Sequence, residues 1–301
     1  MAALGAATAW PRVAGAAAVA FDLGPQQPGR IRAAAIPADA GLLAGVRLAE
    51  AGSFTVAVSP LAPPVSTYAT DARTVIGADP DIAQLLADVL ALRLVLVPVA
   101  WADWPLGLSS GRFDAVISNV GVTEQRKQKF EFSTYRLGLH AFFVPTTSTI
   151  QTIHEPADIA GLRIITRSGT IQERILLEWD RLNTGHGLKP VHLQYIDDVA
   201  SELLSLGSGR ADAIFNPHGP LAYAAATQGK LRLAGTVNAG WPLRADVAIA
   251  TRKGSGLASV LTQATNDLIA GGQYRAALAR WGLEAEALGR SETNPPGYKD
   301  A

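Results

Sequence analysis

The sequence LSSGRFDAV at residues 108–116 recurs as LGSGRADAI at residues 206–214. The two copies share Leu, Ser, Gly, Arg, Asp and Ala in register. Each copy predicts the end of a helix, a glycine-containing turn and a strand that begins with Asp-Ala. Because a corner of this kind is found twice, we predict two lobes of similar architecture.

Strands and helices alternate on both sides of these corners. Runs of β-branched or continuous apolar residues predict strands at 54–58, 94–98, 114–118, 162–165, 191–195, 211–215, 231–233 and 247–250. Apolar residues at helical spacing predict helices at 81–90, 104–109, 172–182, 199–206, 221–228, 257–269 and 273–281. This alternation predicts an α/β fold with parallel sheets.

The final strand and its two helices follow the second lobe in the chain. We expect this tail to return to the first lobe, so that the chain crosses between the lobes twice. A hinge made of two strands permits the lobes to close around a ligand.

Residues 1–52 form an N-terminal extension ahead of the first strand. Residues 13–21 are apolar and follow Arg12, a pattern shared by short signal-peptide cores and by flexible alanine-rich extensions. Residues 22–38 contain Gly, Pro and Gln and predict a linker. Residues 41–50 predict a short helix that ends at Gly52.

The composition excludes several classes of function. The chain has 301 residues and balances 26 Lys and Arg against 26 Asp and Glu, without a long basic run, which disfavours nucleic acid and anionic membranes as partners. It has no cysteine, which excludes a disulfide framework, a thiolate metal site and a cysteine nucleophile. Its five histidines lack the spacing of metal ligands, so we predict no metal and no cofactor.

An ordered set of motifs carries a family resemblance. The set comprises GADPDIA at 77–83, SGRFDA at 110–115, FS at 132–133, GT at 169–170, SGRADA at 208–213 and AIATRKG at 248–254. In this order the motifs resemble the extracellular solute-binding proteins, family 3, of polar amino acid ABC importers. The resemblance extends over about residues 53–285.

The resemblance implies a type II periplasmic binding fold with the ligand in the cleft between two lobes. Lobe 1 would comprise residues 53–145 and 243–301, and lobe 2 residues 146–242. The implied function is the substrate-binding component of an ABC importer. The protein would be an exported monomer, periplasmic or extracellular, that captures a small carboxylate-bearing solute, an amino acid or an amino-acid-like molecule, and delivers it to the transporter permease.

The resemblance also assigns ligand-binding roles in lobe 1. It places Arg126 where family members grip the ligand carboxylate, a role that suits the permanently charged, bidentate guanidinium. The local sequence alone favours a surface residue beside Lys127 and Lys129, whereas the ordered set of motifs favours the ligand site. Asn119 and Gly121 match small polar positions of the site, although Asn and Gly are also common in ordinary turns.

The remaining candidates flank the expected cleft. Thr170 and Ile171 begin a helix whose free N–H groups favour anions, and Thr170 is also a suitable N-cap. Trp101 matches a pocket-lining position, with Trp104 and Trp241 as weaker candidates. Arg167 is expected to face solvent.

Three departures from the family pattern bear on the ligand. Ala62 and Val65 replace pocket aromatics, and Ser59 replaces an Asp that basic-amino-acid binders carry, which disfavours lysine and arginine as ligands. Pro217 stands where the family usually presents an Asp to the α-ammonium group. Either the ligand lacks this ammonium, or another side chain replaces the Asp, for which the candidates are Asn216, His218 and Asp198.

Two other functions stay open on the sequence. The same fold includes lyases of the cyclohexadienyl dehydratase type, for which Glu173 would be the candidate acid, although a carboxylate there also suits a helix N-terminus. A sensory module without a transporter is the second alternative, because fold resemblance alone does not determine function.

Overall fold

In the computed structural model of the protein, residues 21–242 and 245–298 are described. They contain twelve strands: β1 (Ser53–Val58), β2 (Thr67–Tyr68), β3 (Val75–Ile76), β4 (Arg93–Pro98), β5 (Ala115–Gly121), β6 (Phe130–Leu137), β7 (Leu139–Pro145), β8 (Arg163–Thr166), β9 (His192–Tyr195), β10 (Ala213–Pro217), β11 (Leu231–Asn238) and β12 (Asp246–Arg252). They also contain nine α-helices: α1 (Pro37–Gly41), α2 (Ala78–Val89), α3 (Trp104–Ser110), α4 (Glu124–Lys127), α5 (Ile171–Gly185), α6 (Val199–Gly207), α7 (His218–Gln228), α8 (Leu257–Gly271) and α9 (Gln273–Arg280). Within the described ranges, no helix has the length and apolar character needed to span a lipid bilayer.

Lobe 1 is built on a five-stranded sheet with the order β4-β1-β5-β12-β6. β1 pairs in parallel with β4 and β5, and β12 runs antiparallel to β5 and β6. Helices α2, α8 and α9 pack on one face, and α3 packs on the other. Every residue of β1, including Ser53 and Thr55, is therefore buried, as expected for a strand covered on both faces.

Lobe 2 is built on a second five-stranded sheet with the order β11-β7-β10-β8-β9. β8 pairs in parallel with β9 and β10, and β7 runs antiparallel to β10 and β11. Counted from the edge strand β9, the strand directions repeat those of lobe 1 counted from its edge strand β4. The two lobes therefore share one topology, as the repeated corner predicts.

The repeated corner has the same structure in both lobes. Gly111 and Gly209 have positive φ angles of 79° and 73°, which glycine adopts without steric strain. The Asp114 carboxylate accepts the N–H of Thr55 at 2.8 Å, and the Asp212 carboxylate accepts the N–H of Arg163 at 2.8 Å. In each lobe, this aspartate joins the third parallel strand to the first.

The chain crosses between the lobes at two places that lie in contact. The first crossing is at Gly138, between β6 and β7, and the second passes Ala239, between β11 and β12. The N–H of Ala239 donates to the Gly138 carbonyl at 3.2 Å. A Cβ atom at position 138 would lie 2.4 Å from that of Ala239, so the close contact requires glycine.

The first lobe boundary differs from the prediction. Residues 139–145 were assigned to lobe 1, but they form β7 and pair with strands of lobe 2. The sequence between β6 and β7 offers only one glycine and no proline, so nothing in it marks the crossing as a loop. The second predicted boundary, after residue 242, lies within the connection between β11 and β12.

The N-terminal segment 21–52 packs on lobe 1 instead of forming a free linker. Ile31, Ile36, Leu43 and Val46 contact the lobe 1 core. The helix predicted at 41–50 is wrong, because α1 ends at Gly41 and Gly45 adopts a positive φ of 87° that a helix does not allow. Residues 1–20, which include most of the apolar run at 13–21, lie outside the described residues.

One end of this segment contacts both lobes. The ring of Phe21 stacks on that of Tyr223 in α7 of lobe 2, with 5.3 Å between the ring centroids. It also lies 5.3 Å from the ring of Trp281, which follows α9 in lobe 1. The N-terminal segment therefore adds an interlobe contact to those at the hinge.

Asp81 anchors the N-terminal segment and α9 to α2. Its fully buried carboxylate accepts hydrogen bonds from Arg30 at 2.8 Å, Arg280 at 2.6 Å and the indole N–H of Trp281 at 2.8 Å. Removal of one partner from a buried ion pair leaves the other charge uncompensated in a region of low dielectric constant.

We expect Asp81→Ala to lower the free energy of unfolding by about 3–5 kcal/mol, because two half-buried guanidinium groups lose their common carboxylate. Urea unfolding followed by circular dichroism measures this loss. The matched control is Glu178→Ala, which breaks an exposed pair with Arg181 and is expected to cost less than about 1 kcal/mol. Equal effects of the two substitutions would contradict the anchoring role of Asp81.

Candidate functional site

A cavity of about 930 Å³ lies between the two lobes. It is bordered by the carboxyl ends of parallel strands from both sheets, where Ser59 follows β1, Gly121 ends β5, Arg167 follows β8 and Pro217 ends β10. Ligands of open α/β sheets bind at this edge. Eight of the nine predicted ligand-binding residues line the cavity: Ser59, Trp101, Asn119, Gly121, Arg126, Thr170, Ile171 and Asn216.

Arg126 is held between the two lobes by its own hydrogen bonds. Its Nη1 donates to the Gly121 carbonyl of lobe 1 at 2.8 Å, and its Nη2 donates to the Gly169 carbonyl of lobe 2 at 3.1 Å. The guanidinium carbon lies 5.6 Å from the ring centroids of Trp101 and Trp104. Thr123 caps the short helix α4 through the backbone N–H of Arg126 and so sets the position of the side chain.

Arg126 brings a positive charge to the wall of the cavity. Within residues 21–242 and 245–298, no acidic side chain forms an ion pair with it. Burial, together with the positive charge of Arg174, lowers the pKa of Arg126 to about 10. A half-buried cation at the wall of a cavity is an attractive site for an anion, because a ligand carboxylate would supply the missing countercharge.

Lobe 2 faces Arg126 with the N-terminus of α5. Thr170 caps this helix, because its hydroxyl oxygen accepts the N–H of Glu173 at 3.2 Å. The structure therefore shows the predicted N-cap, and Thr170 lines the cavity as well. The side chain of Ile171 packs on Gly121 so closely that a Cβ atom at position 121 would lie 2.2 Å from its Cδ1.

A hydrogen-bonded network supports Asn119 from behind. Asn119 has a positive φ of 52°, and its N–H donates to the hydroxyl of Tyr135 at 3.2 Å. Tyr135 in turn donates to Asp79 at 2.7 Å. Arg136 donates to the side-chain oxygen of Asn119 and forms a buried ion pair with Glu286. The Asn119 amide is thus fixed in orientation, with its NH₂ group left for the cavity.

His140 lines the cavity beside the hinge, and the sequence-based reasoning missed it. Its side chain is 5% exposed, and neither ring nitrogen has a hydrogen-bond partner among the described residues. Burial and, to a smaller extent, the charge of Arg136 lower the pKa of His140 to about 3. The ring is therefore neutral at pH 7. Burial of a polar group without a hydrogen-bond partner costs about 1–3 kcal/mol of folding free energy.

Arg167 was expected to face solvent, but its side chain is engaged within lobe 2. It forms an ion pair with Glu202 at 2.8 Å, and Glu202 also accepts a hydrogen bond from Asn216 at 2.9 Å. Glu202 is buried, which raises its pKa. Arg167 and Asn216 line the cavity, and Glu202 lies behind them. No motif marked Glu202, because it lies in the apolar helix α6 far from the predicted loops.

Several other candidates lie away from the cavity. His218 begins α7 beside Phe143, with 6.4 Å between the rings, so its predicted ligand role is wrong. Asp198 caps α6 through Ser201, while its neighbour Asp197 lines the cavity. Trp241 packs on Trp179 instead of the cleft.

Glu173 has a structural role. Its carboxylate accepts the N–H of Gly169 at 2.6 Å, and it does not line the cavity. A carboxylate in the first turn of a helix interacts favourably with the helix dipole.

Sequence comparison places this cleft in a known family. A profile of the bacterial extracellular solute-binding proteins, family 3, matches residues 54–284. The chain belongs to this family. The family match extends from β1 to the 3-10 turn after α9, and so includes both sheets and every residue of the cleft.

Individual members of family 3 resemble the chain over shorter stretches. The L-cystine-binding protein of Escherichia coli strain K12 is 32% identical over 179 residues, which cover 59% of this chain and 62% of that protein. A cyclohexadienyl dehydratase of Pseudomonas aeruginosa is 33% identical over 87 residues, 29% of this chain and 32% of that protein. The chain therefore spans less than two thirds of the length of each of these two relatives.

Solved structures confirm the two-lobed fold. An ancestral arginine-binding protein bound to arginine superposes with a TM-score of 0.66 at 23% identity, covering 76% of this chain and 98% of that one. A mutant of the arginine-binding protein of T. maritima gives a TM-score of 0.66 at 22% identity, covering 77% of this chain and 95% of that one. The fold is the type II periplasmic binding fold that the sequence predicts.

We expect the stability of the protein to reflect the buried state of His140. Between pH 6.5 and 4.5 the unfolded chain binds a proton at this residue that the folded protein does not bind, so stability falls as the pH falls. Over these two pH units, wild type should lose about 2–3 kcal/mol relative to His140→Phe. Urea unfolding at both pH values measures the difference. The exposed His192→Phe is the control, and a pH dependence of His140→Phe equal to that of wild type would contradict the expectation.

We also expect Gly121→Ala to hinder lobe closure, because its Cβ would overlap Ile171. If the overlap destabilises the closed form by about 1 kcal/mol or more, the ratio of closed to open molecules falls at least about fivefold. Spin labels on Ser110→Cys and Ser208→Cys, one in each lobe of this cysteine-free chain, report the interlobe distance by electron paramagnetic resonance. Adding Ile171→Val removes the overlapping methyl group and should restore wild-type distances. Failure of this rescue would mean that the contact does not limit closure.

Proposed function

We propose that the protein is the substrate-binding component of an ABC importer and captures a small carboxylate-bearing solute, an amino acid or an amino-acid-like molecule. The observation that carries the proposal is the charge of Arg126, which lies in the cleft without a carboxylate partner among the described residues. A ligand carboxylate would accept two parallel hydrogen bonds from this guanidinium. The N-terminus of α5 would add N–H donors and a favourable dipole from lobe 2.

The hydrogen bonds of Arg126 to both lobes support capture of the ligand by hinge closure. One of its hydrogen bonds is made within lobe 1 and the other reaches Gly169 of lobe 2. The lobes are joined by two crossings in contact at Gly138, which limits their relative motion to a bending of these strands. A ligand that binds both lobes would stabilise the closed arrangement by its differential affinity for it.

The size of the cavity supports a solute larger than the smallest amino acids. Ala62 and Val65 line it at positions where the resemblance implies aromatic side chains. The missing rings leave space within the cavity of about 930 Å³, a volume within the usual range of small-molecule sites. Relatives named for L-cystine and for arginine agree with a solute of this class.

Delivery to a permease and residence outside the cytoplasm belong to the same proposal. The family is described as extracellular, and a similar solved structure is described as the substrate-binding protein of an amino acid ABC transporter. We propose that the protein acts there as a monomer.

A dehydratase role has weaker support. It would require an acid in the cleft, and the candidate Glu173 is engaged by the N–H of Gly169 outside the cavity lining. The relative that carries this activity matches 87 residues of the chain. A binding role requires only the charge of Arg126 and the N–H donors of α5 at the cavity.

Isothermal titration calorimetry with L-cystine, L-arginine, the other common amino acids and a panel of small organic acids tests the proposal. For the solute that binds, we expect Arg126→Ala to weaken affinity by about 2–5 kcal/mol, because a desolvated charge loses its partner. Arg126→Lys should recover only part of this, because it restores the charge without the bidentate fork. The exposed Arg112→Ala, outside the cavity, should bind as wild type does. Unchanged affinity in Arg126→Ala would refute the carboxylate site.

A further inference from the structure

His140 belongs to the wall of the cavity, close to the first interlobe crossing. It belongs to β7, and its register partner in β10 is Pro217. Both residues line the cavity, next to Asn216. Pro217 has no N–H and no polar side-chain atom, so His140 is the polar member of this pair.

The imidazole is buried without satisfying its own hydrogen bonds. It is 5% exposed, and both ring nitrogens lack partners among residues 21–242 and 245–298. Its ring packs edge-on against Phe215, with 5.8 Å between centroids. A phenyl ring would keep this packing and carry no polar atom, so the imidazole is unfavourable for the ligand-free protein in its closed form.

The charges around His140 keep it neutral. The nearest is Arg136, which is buried and paired with Glu286. The buried carboxylates on the neighbouring elements are already engaged, Asp79 by Tyr135 and Glu202 by Arg167. A neutral imidazole offers one N–H donor and one nitrogen acceptor.

A ligand ammonium is a poor match for this environment. It would approach the positive charge of Arg136, and Pro217 offers it no carboxylate or other side-chain acceptor from the facing strand. Among the described residues that line the cavity, the one carboxylate is that of Asp197, which lies exposed before α6. A hydroxyl or an amide, by contrast, can both donate to and accept from a neutral imidazole.

We propose that His140 contacts the ligand directly and selects an uncharged hydrogen-bonding group, so that the cleft prefers hydroxy acids or N-acylated amino acids over amino acids with a free ammonium group. This inference rests on the proposed function, because Arg126 must hold the carboxylate of the same ligand. It identifies His140 as a specificity-determining residue that the family resemblance does not assign.

Matched ligand pairs test the preference by calorimetry. The pairs are L-malate with L-aspartate, (S)-2-hydroxyglutarate with L-glutamate, and N-acetyl-L-glutamine with L-glutamine. We expect the uncharged member of at least one pair to bind wild type at least tenfold more tightly than its amino acid. In His140→Phe this member should lose at least tenfold in affinity and the preference should disappear. His218→Phe is the control outside the cavity and should leave both affinities unchanged.

Two further variants separate the alternatives. Pro217→Asp places a carboxylate opposite His140 and should shift the preference towards the amino acid. If wild type instead prefers the amino acids, or discriminates within no pair, the inference is refuted. If Asp197→Asn abolishes such amino acid binding, Asp197 is the ammonium partner.

The inference and the proposed function fail in different ways. Loss of binding in Arg126→Ala with unchanged affinity in His140→Phe would refute the inference and leave the proposed function standing. A second measurement needs no ligand: His140→Phe should melt at a higher temperature than wild type at pH 7, because it removes two unpartnered nitrogens. A lower melting temperature would show that the imidazole is a structural residue and would also refute the inference.

Discussion

The contact between the two interlobe crossings constrains the whole molecule. Gly138 and Ala239 lie so close that any motion of one lobe against the other would bend both strands at this contact. Each body is internally stiff, because its first parallel strand is buried and tied to the third by an aspartate at the repeated corner. The cleft is therefore the one place where a small motion of the backbone produces a large change in the surroundings of a side chain.

Arg126 places a positive charge in the cleft between the two lobes. A guanidinium that donates to carbonyls of both lobes is buried in the cleft, and no carboxylate among the described residues compensates its charge. The energy of the closed form depends on what enters the cleft with it. Behind Asn119, the charges of Arg136 and Glu286 cancel each other, so this network fixes side-chain orientation without competing for an anion.

The features that could be predicted from sequence share a local cause. The repeated corner and the Thr170 cap each depend on residues within a few positions of one another, and they are present as expected. The features that were missed depend on distant partners. His140 is significant only because Pro217 faces it, Glu202 because Arg167 reaches it, and segment 21–52 because Asp81 holds Arg30. No pattern within one window of sequence contains both members of these pairs.

The stacking of Phe21 between Tyr223 and Trp281 places part of the control of affinity outside the cleft. The apparent affinity of a two-state receptor is its intrinsic affinity multiplied by the fraction of molecules in the competent state. An aromatic contact that bridges the lobes changes this fraction without touching the solute. If the lobes close around the solute as proposed, selectivity and sensitivity are separable properties of one chain: residues of the cleft would select the solute, and the ring contacts of Phe21 would shift the concentration at which it binds.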